Sequence, residues 1–230
     1  MTVPAYIINR DLIIWPKAQA DHMSKVPEIE VVIVDNGSTY PPLLEWYEEC
    51  PYRVVRMENV GAYVMEDREL LPWCKNALHP EATEYIITDA DLSIDDVPLD
   101  FLAQLRYGME LRPDVHKVGL NLEVNDLPED HPNYHMAHAW QDGMWLPELL
   151  HDGFYDAPVD TTFALYRTDR KGGGTMPAIR SDRPYVARHM PWYYTPATLP
   201  PDYVYYWKNA IRRYANYAQY LDAQCEKGLG

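Results

Sequence analysis

Apolar and polar residues alternate in blocks along the first half of the chain. Ala5–Asn9 (AYIIN) is a short apolar run. Glu30–Asp35 (EVVIVD) is a second, rich in β-branched residues and bounded by polar ones, as a strand buried on both faces should be. Tyr52–Met57 (YRVVRM) and Glu84–Thr88 (EYIIT) repeat the pattern. After the second run, Asn36-Gly37-Ser38-Thr39-Tyr40-Pro41-Pro42 predicts a strand-to-helix turn in preference to a hairpin. Ser38 or Thr39 would cap the helix, and a proline would sit in its first turn. Leu43, Leu44, Trp46 and Tyr47 then form its apolar side. Further helices are predicted over Arg68–Leu78 and Leu99–Leu111, and a further strand over Lys117–Val124.

The second half is less regular. His131–Gly153 mixes His, Trp, Met and acidic residues, Thr161–Arg167 (TTFALYR) reads as a strand, and Lys171–Thr175 (KGGGT) as a loop. Trp207, Ile211, Tyr214, Tyr217 and Leu221 recur near helical spacing, which predicts an amphipathic C-terminal helix over Tyr203–Glu226 packed on the core. Strands alternating with helices imply an α/β fold with a largely parallel sheet and ligands at the carboxyl ends of the strands. Asp35, Asn59 and Asp89 fall at such ends. A chain of 230 residues is long enough for one such domain and short for two. We therefore expect a single domain over 1–230. It comprises a ligand-binding half (1–125), a second half completing the site (126–198) and a C-terminal helix (199–230).

Charge narrows the partners. The net charge of −15 repels polyanions on average, so nucleic acid is disfavoured. Arg180, Arg183 and Arg188 are the one late cluster from which a local basic patch could form. No apolar stretch approaches the ~20 residues that span a bilayer. Cys50, Cys74 and Cys225 are widely spaced and read as free thiols of a reducing compartment, so a cytoplasmic location is expected.

The sharpest chemical feature is Tyr85-Ile86-Ile87-Thr88-Asp89-Ala90-Asp91, in which a buried strand delivers two carboxylates to its end. Such a pair can bind Mg²⁺ or Mn²⁺ while phosphate oxygens fill other positions, or it can simply cap a turn. Asp35, followed by Gly37, can accept hydrogen bonds from a nucleoside or cap its own turn. Arg180 and Arg188 match phosphate geometry and equally suit salt bridges. His131, His135 and His138 are irregularly spaced with no cysteine among them, so no zinc site is expected. Trp140, Trp145 and Trp192 suit a sugar face or a core. Lys171-Gly172-Gly173-Gly174 lacks the full phosphate-loop pattern.

Taken together, Asp35 with Gly37-Ser38-Thr39 and Asp89-Ala90-Asp91 resemble the GT-A glycosyltransferases, in particular glycosyltransferase family 2. The segment Ile7–Arg10 and Asn59-Val60-Gly61 fit the same order over roughly residues 3–125. The resemblance implies a GT-A (Rossmann-like) mixed sheet, its central parallel strands flanked by helices. It also implies a metal-dependent transfer from a nucleoside-diphosphate sugar donor, with a UDP-sugar favoured, to an acceptor hydroxyl, with inversion favoured. On this reading Ile8, Asn9, Arg10, Asp35, Gly37, Ser38, Asn59, Gly61, Asp89, Ala90, Asp91, Arg180 and Arg188 face the donor. Asp89, Asp91 and His189 hold Mn²⁺ or Mg²⁺. Asp160 is the first choice for the base that takes the acceptor's proton, with Asp142 and Glu148 as alternatives. The acceptor is a glycan, a lipid-linked sugar or a protein. The usual Glu-Asp pair and the QxxRW motif of processive synthases are both missing. Two other readings stand beside this one. A sugar-nucleotide nucleotidyltransferase would need a Gly-rich loop where Asn9-Arg10-Asp11-Leu12-Ile13 lies. A non-catalytic sugar-nucleotide-binding protein would keep the same motifs.

Overall fold

The computed structural model describes residues 2–61, 78–145, 149–150, 152–160, 162–169 and 177–209. The helix expected over Arg68–Leu78, the glycine loop, Glu148, Cys74, Cys225 and most of the expected C-terminal helix lie wholly or largely outside these residues.

Four strands form the parallel part of the sheet: β1 (Val3–Asn9), β2 (Ile29–Asn36), β3 (Arg53–Met57) and β4 (Glu84–Asp89). They lie in the order β3-β2-β1-β4, with Asn9 opposite Asp35 and Ile8 opposite Asp89. β1 and β2 are almost wholly buried, which is why the sequence runs apolar through them without alternation. β10 (Ala164–Arg167) then runs antiparallel to β4. It is followed across the sheet by β6 (Lys117–Gly119), β11 (Ala178–Ser181), β9 (Phe154–Tyr155) and β8 (Leu149–Leu150), giving nine strands. The expected α/β class with a mixed sheet and a central parallel block is therefore present.

A small second sheet joins β5 (Leu92–Ser93), β12 (Val186–His189) and β7 (Asn121–Leu122). The segment Lys117–Val124, expected as one strand, divides here. Its first part pairs with β10 and β11, and after Leu120 it leaves to pair with β12.

The helices are α1 (Ile14–Met23), α2 (Pro41–Glu49), α3 (Phe101–Leu111), α4 (Tyr134–Trp145) and α5 (Pro201–Asn209). Ala20 and Met23 of α1 and Phe101, Leu102 and Leu105 of α3 bury against Ile7, Ile86, Val118 and Leu165, on one face of the sheet. Cross-strand alternation sends Tyr6, Tyr85 and Tyr166 to the other face, where the Tyr85 and Tyr166 rings stack 5.3 Å apart. Among the described residues, no helix is long and apolar enough to cross a membrane.

Candidate functional site

In the order β3-β2-β1-β4, the connection after β1 leads to one side and that after β3 to the other, so a crevice opens between the carboxyl ends of β1 and β4. Open α/β sheets bind ligands at such switch points. Asn9, Arg10 and Asp11 form one wall and Asp89, Ala90 and Asp91 the other.

The β1 wall is heavily cross-tied. Asn9 is fully buried, and its Nδ2 donates to Leu12 O (2.8 Å) and to the Tyr47 hydroxyl (2.9 Å). Its Oδ1 has no hydrogen-bond partner among the described residues. Asp35 is also fully buried, accepting from Ser38 N and from the Tyr47 hydroxyl (3.2 Å), with Arg56 Nε 3.6 Å away. Burial first, and the Asp35 charge second, push the Tyr47 phenol far above its ordinary range, so it stays a donor. Gly37 has φ +71°, and a Cβ there would stand 2.7 Å from Asn59 N, so the turn requires glycine. Asn36 completes the corner: its Nδ2 donates to Gly61 O and its Oδ1 accepts from Val60 N.

One expectation for this corner is corrected. Neither Ser38 nor Thr39 caps α2, whose N-cap is Tyr40 with no side-chain cap. Asp11, at φ +58°, supplies the carboxylate instead, accepting from Thr39 N and Tyr40 N, while Ser38 Oγ accepts from Asp11 N. Ser38 is drawn off because its hydroxyl has a nearer donor across the β1 turn.

The β4 wall is built differently. Gln19 of α1, fully buried, donates from Nε2 to Asp89 O (3.0 Å) and accepts from the Thr88 hydroxyl (2.8 Å), fixing the strand's exit. Ala90 is buried while Asp89 and Asp91 stay partly exposed. β12 returns antiparallel to β5, Met190 N bonds Asp91 O (2.9 Å), and His189 Nε2 comes within 3.3 Å of Asp91 Oδ2. The His189 ring also meets the buried Trp192 edge-on at 4.7 Å. Among the described residues no three His, Cys, Asp or Glu side chains form a ready-made cluster. The Asp91–His189 pair nevertheless fits a divalent ion, because two cis ligands of an octahedral ion at about 2.1 Å lie about 3 Å apart.

Asp160 precedes β10 with its side chain about half exposed (53%). Burial alone would raise its pKa, but Arg180, then the backbone and hydroxyl of Thr162, and then His189 hold it below the usual carboxylate range. It is therefore an anion at neutral pH, and a weaker base than one tuned near 7. Two buried cations support it. Lys117 Nζ donates to Asp160 O (3.2 Å), and burial lowers that amine to about 8. Arg180, fully buried, donates to Pro158 O (2.6 Å) and Leu120 O (3.4 Å), with Nη2 3.5 Å from Asp160 Oδ1. Arg188 pairs at 2.6 Å with both Asp96 and Asp126, and Arg183 with Glu123. Each late arginine thus has a carboxylate partner, and the basic patch considered from sequence does not form. Asp142 is exposed on α4 and faces His138 at 3.3 Å. Trp140 is 58% exposed.

Sequence reasoning missed Asp11, Gln19 and Asp202. Asp202, on α5 and nearly buried, accepts from Ile13 N (2.9 Å) and Ile14 N (3.1 Å), the first free amides of α1. The same helix ties the crevice's rim: the Tyr205 hydroxyl donates to Thr39 O, Tyr205 lies 4.9 Å from Tyr40, and Arg10 Nη2 donates to Asn209 O. None has a local sequence signature, because each partner is distant in the chain.

No protein-family model matches this chain, and no curated protein matches it. Among solved structures it is similar to the mannosyltransferase PcManGT from Pyrobaculum calidifontis in complex with GDP-Man and Mn²⁺, at 17% identity over 73% of this chain and 44% of that one (TM-score 0.41). It is also similar to glucosyl-3-phosphoglycerate synthase from Mycobacterium tuberculosis in complex with Mn²⁺, UDP and phosphoglyceric acid, at 16% identity over 72% and 56% (TM-score 0.43). A third is 4-diphosphocytidyl-2C-methyl-D-erythritol synthase from Anaerococcus prevotii, at 10% identity over 96% and 98% (TM-score 0.44). The chain spans about half the length of the first two. Likeness at this level assigns no activity to it. The fold and site define the class more directly: a mixed-sheet α/β protein with an acidic pair at its switch point.

Proposed function

We propose that the protein is a metal-dependent glycosyltransferase that takes a sugar from a nucleoside-diphosphate sugar, with UDP the favoured nucleotide. The observation that carries this reading is the placement of Asp89-Ala90-Asp91 beside the β1–β4 crevice, with His189 brought to Asp91 from far along the chain. Asp89, Asp91 and His189 would hold Mn²⁺ or Mg²⁺. The chemistry such an ion would supply is screening of the diphosphate charge that develops on transfer. The mixed carboxylate–imidazole set suits Mn²⁺.

The nucleoside end lies against the corner made by Asn9–Asp11, Asp35–Ser38 and Asn59–Gly61. Asn9 Oδ1 offers a buried acceptor there. Asp35 has its carboxylate engaged within the protein and acts by shaping the corner. Asp160, anionic and held by Lys117 and Arg180, would receive the acceptor's proton in an inverting transfer. Arg180 acts through Asp160, since its guanidinium is wholly buried. Asp202 speaks against nucleotidyl transfer through the α1 end, because its carboxylate already occupies the amides that would bind phosphate.

A calorimetric panel of UDP, GDP, CDP and their sugars, with and without Mn²⁺, tests the reading. We expect one nucleotide series to bind, and only with the metal. Binding of no nucleotide under either condition would sink it.

A further inference from the structure

The strand register places a second set of polar groups in line with the acidic pair. β10 pairs with β4 so that Ala164 faces Ile87, and with β6 so that Ala164 also faces Gly119. Leu120 N bonds Phe163 O at 2.9 Å, carrying the second register one step further. Counted on two residues past the Ala164–Ile87 pair, and one past the Leu120–Phe163 bond, the registers bring Asp89, Thr162 and Asn121 level with one another just beyond the paired strands. Residues level with one another on neighbouring chain segments stand close together. Strands stand about 4.8 Å apart, so Asn121 lies on the order of 10 Å from Asp89.

Asn121 is fully buried. Its Oδ1 accepts from Leu122 N at 3.0 Å, which fixes the amide's orientation and leaves Nδ2 as the other end. That Nδ2 has no hydrogen-bond acceptor among the described residues. The neighbouring Thr162 is 5% exposed, with its hydroxyl beside the Asp160 carboxylate but in no well-formed hydrogen bond. A buried amide with idle donors is costly unless something fills the place. The chain keeps it at the point where β6 and β7 part company and the sheet opens.

Resting on the glycosyltransferase reading above, we propose that Asn121 Nδ2, with the Thr162 hydroxyl, holds a hydroxyl of the transferred sugar and so helps select it. The geometry favours the donor sugar over the acceptor. On that reading Asp89 would stand at the metal and diphosphate end, and Thr162 and Asn121 lie level with it, on the side to which the attached sugar would reach. A neutral amide donor and a hydroxyl suit an uncharged sugar oxygen, whereas the phosphates belong with the cation.

The test compares wild type, Asn121→Ala and the near-isosteric Thr162→Val by calorimetry with Mn²⁺. The probes are UDP against UDP-glucose and UDP-galactose, and GDP against GDP-mannose. For the preferred sugar, the ratio of nucleotide-sugar Kd to bare-nucleotide Kd should rise about five- to tenfold in Asn121→Ala, the worth of one neutral hydrogen bond. It should rise less in Thr162→Val, and bare-nucleotide Kd should stay within about twofold. Equal weakening of both ligands would make Asn121 purely structural. An unchanged ratio in both variants would mean that the amide holds only water. A wild type that binds no nucleotide with Mn²⁺ would instead remove the wider reading, which separates the two failures.

Discussion

The two walls of the crevice use carboxylates in opposite ways. On the β1 side, Asp11 and Asp35 are fully buried; Asp11 Oδ1 accepts from Thr39 N and Tyr40 N, and the Asp35 carboxylate from Ser38 N and the Tyr47 hydroxyl. On the β4 side, Asp89 and Asp91 stay partly exposed, and Asp91 faces the imidazole of His189. The same residue type builds shape on one wall and offers ligand atoms on the other. An acid's burial and partners, more than its position after a strand, tell the two roles apart.

Substitutions at each wall should separate along those lines. The largest effect is expected from Asp91→Asn, which should lower transfer about 10³-fold, or ~4 kcal/mol of lost transition-state stabilisation, as when a key electrostatic contact is removed. Its melting temperature should stay near that of wild type. A large fall in stability, or retained activity, would move Asp91 to the structural wall. Asp35→Ala should do the reverse, costing about 2–3 kcal/mol because the Tyr47 hydroxyl and Ser38 amide lose a buried acceptor. Thermal unfolding should register this as a drop of about 5–10 °C. If Asp35→Ala instead kept its stability and lost nucleotide affinity alone, the carboxylate would be a ligand contact after all.

The smallest effect lies outside both walls. Burial lowers the pKa of His22, which bonds Val97 O at 2.9 Å, and of His116, also by burial. The unfolded chain therefore takes up protons first. The stability they contribute is present above about 6.5, the ordinary histidine value, and is lost as pH falls from there through the lowered folded values. Denaturant midpoints should decline modestly below pH 6.5, and less steeply in His22→Gln.

Much of the fold is written locally. The runs ending at Asn9, Asp35, Met57 and Thr88 carry β-branched and apolar residues in short blocks, and each appears as a strand with bounds shifted by a residue or two. The short strands β5, β8, β9, β11 and β12 have no periodicity of their own and exist only by pairing, so they were not legible. The division of Lys117–Val124 is likewise tertiary, set by Phe163 and Ala187 drawing neighbouring amides in two directions. At the site, the chemistry-bearing acids show in the sequence, while the groups that hold them do not. Gln19 under Asp89 and Lys117 under Asp160 are ordinary polar letters until folding brings them there.

The reach of Asp202 to the start of α1 sets a schedule for synthesis. A ribosome emits about 5–20 residues per second, so the strand that carries Asn9 emerges well before the carboxylate that quiets the amides of Ile13 and Ile14. Until that late acid arrives, the nascent rim beside Arg10 and Thr39 is left without its clasp, and the crevice takes its finished form only when nearly all of the described chain has been made.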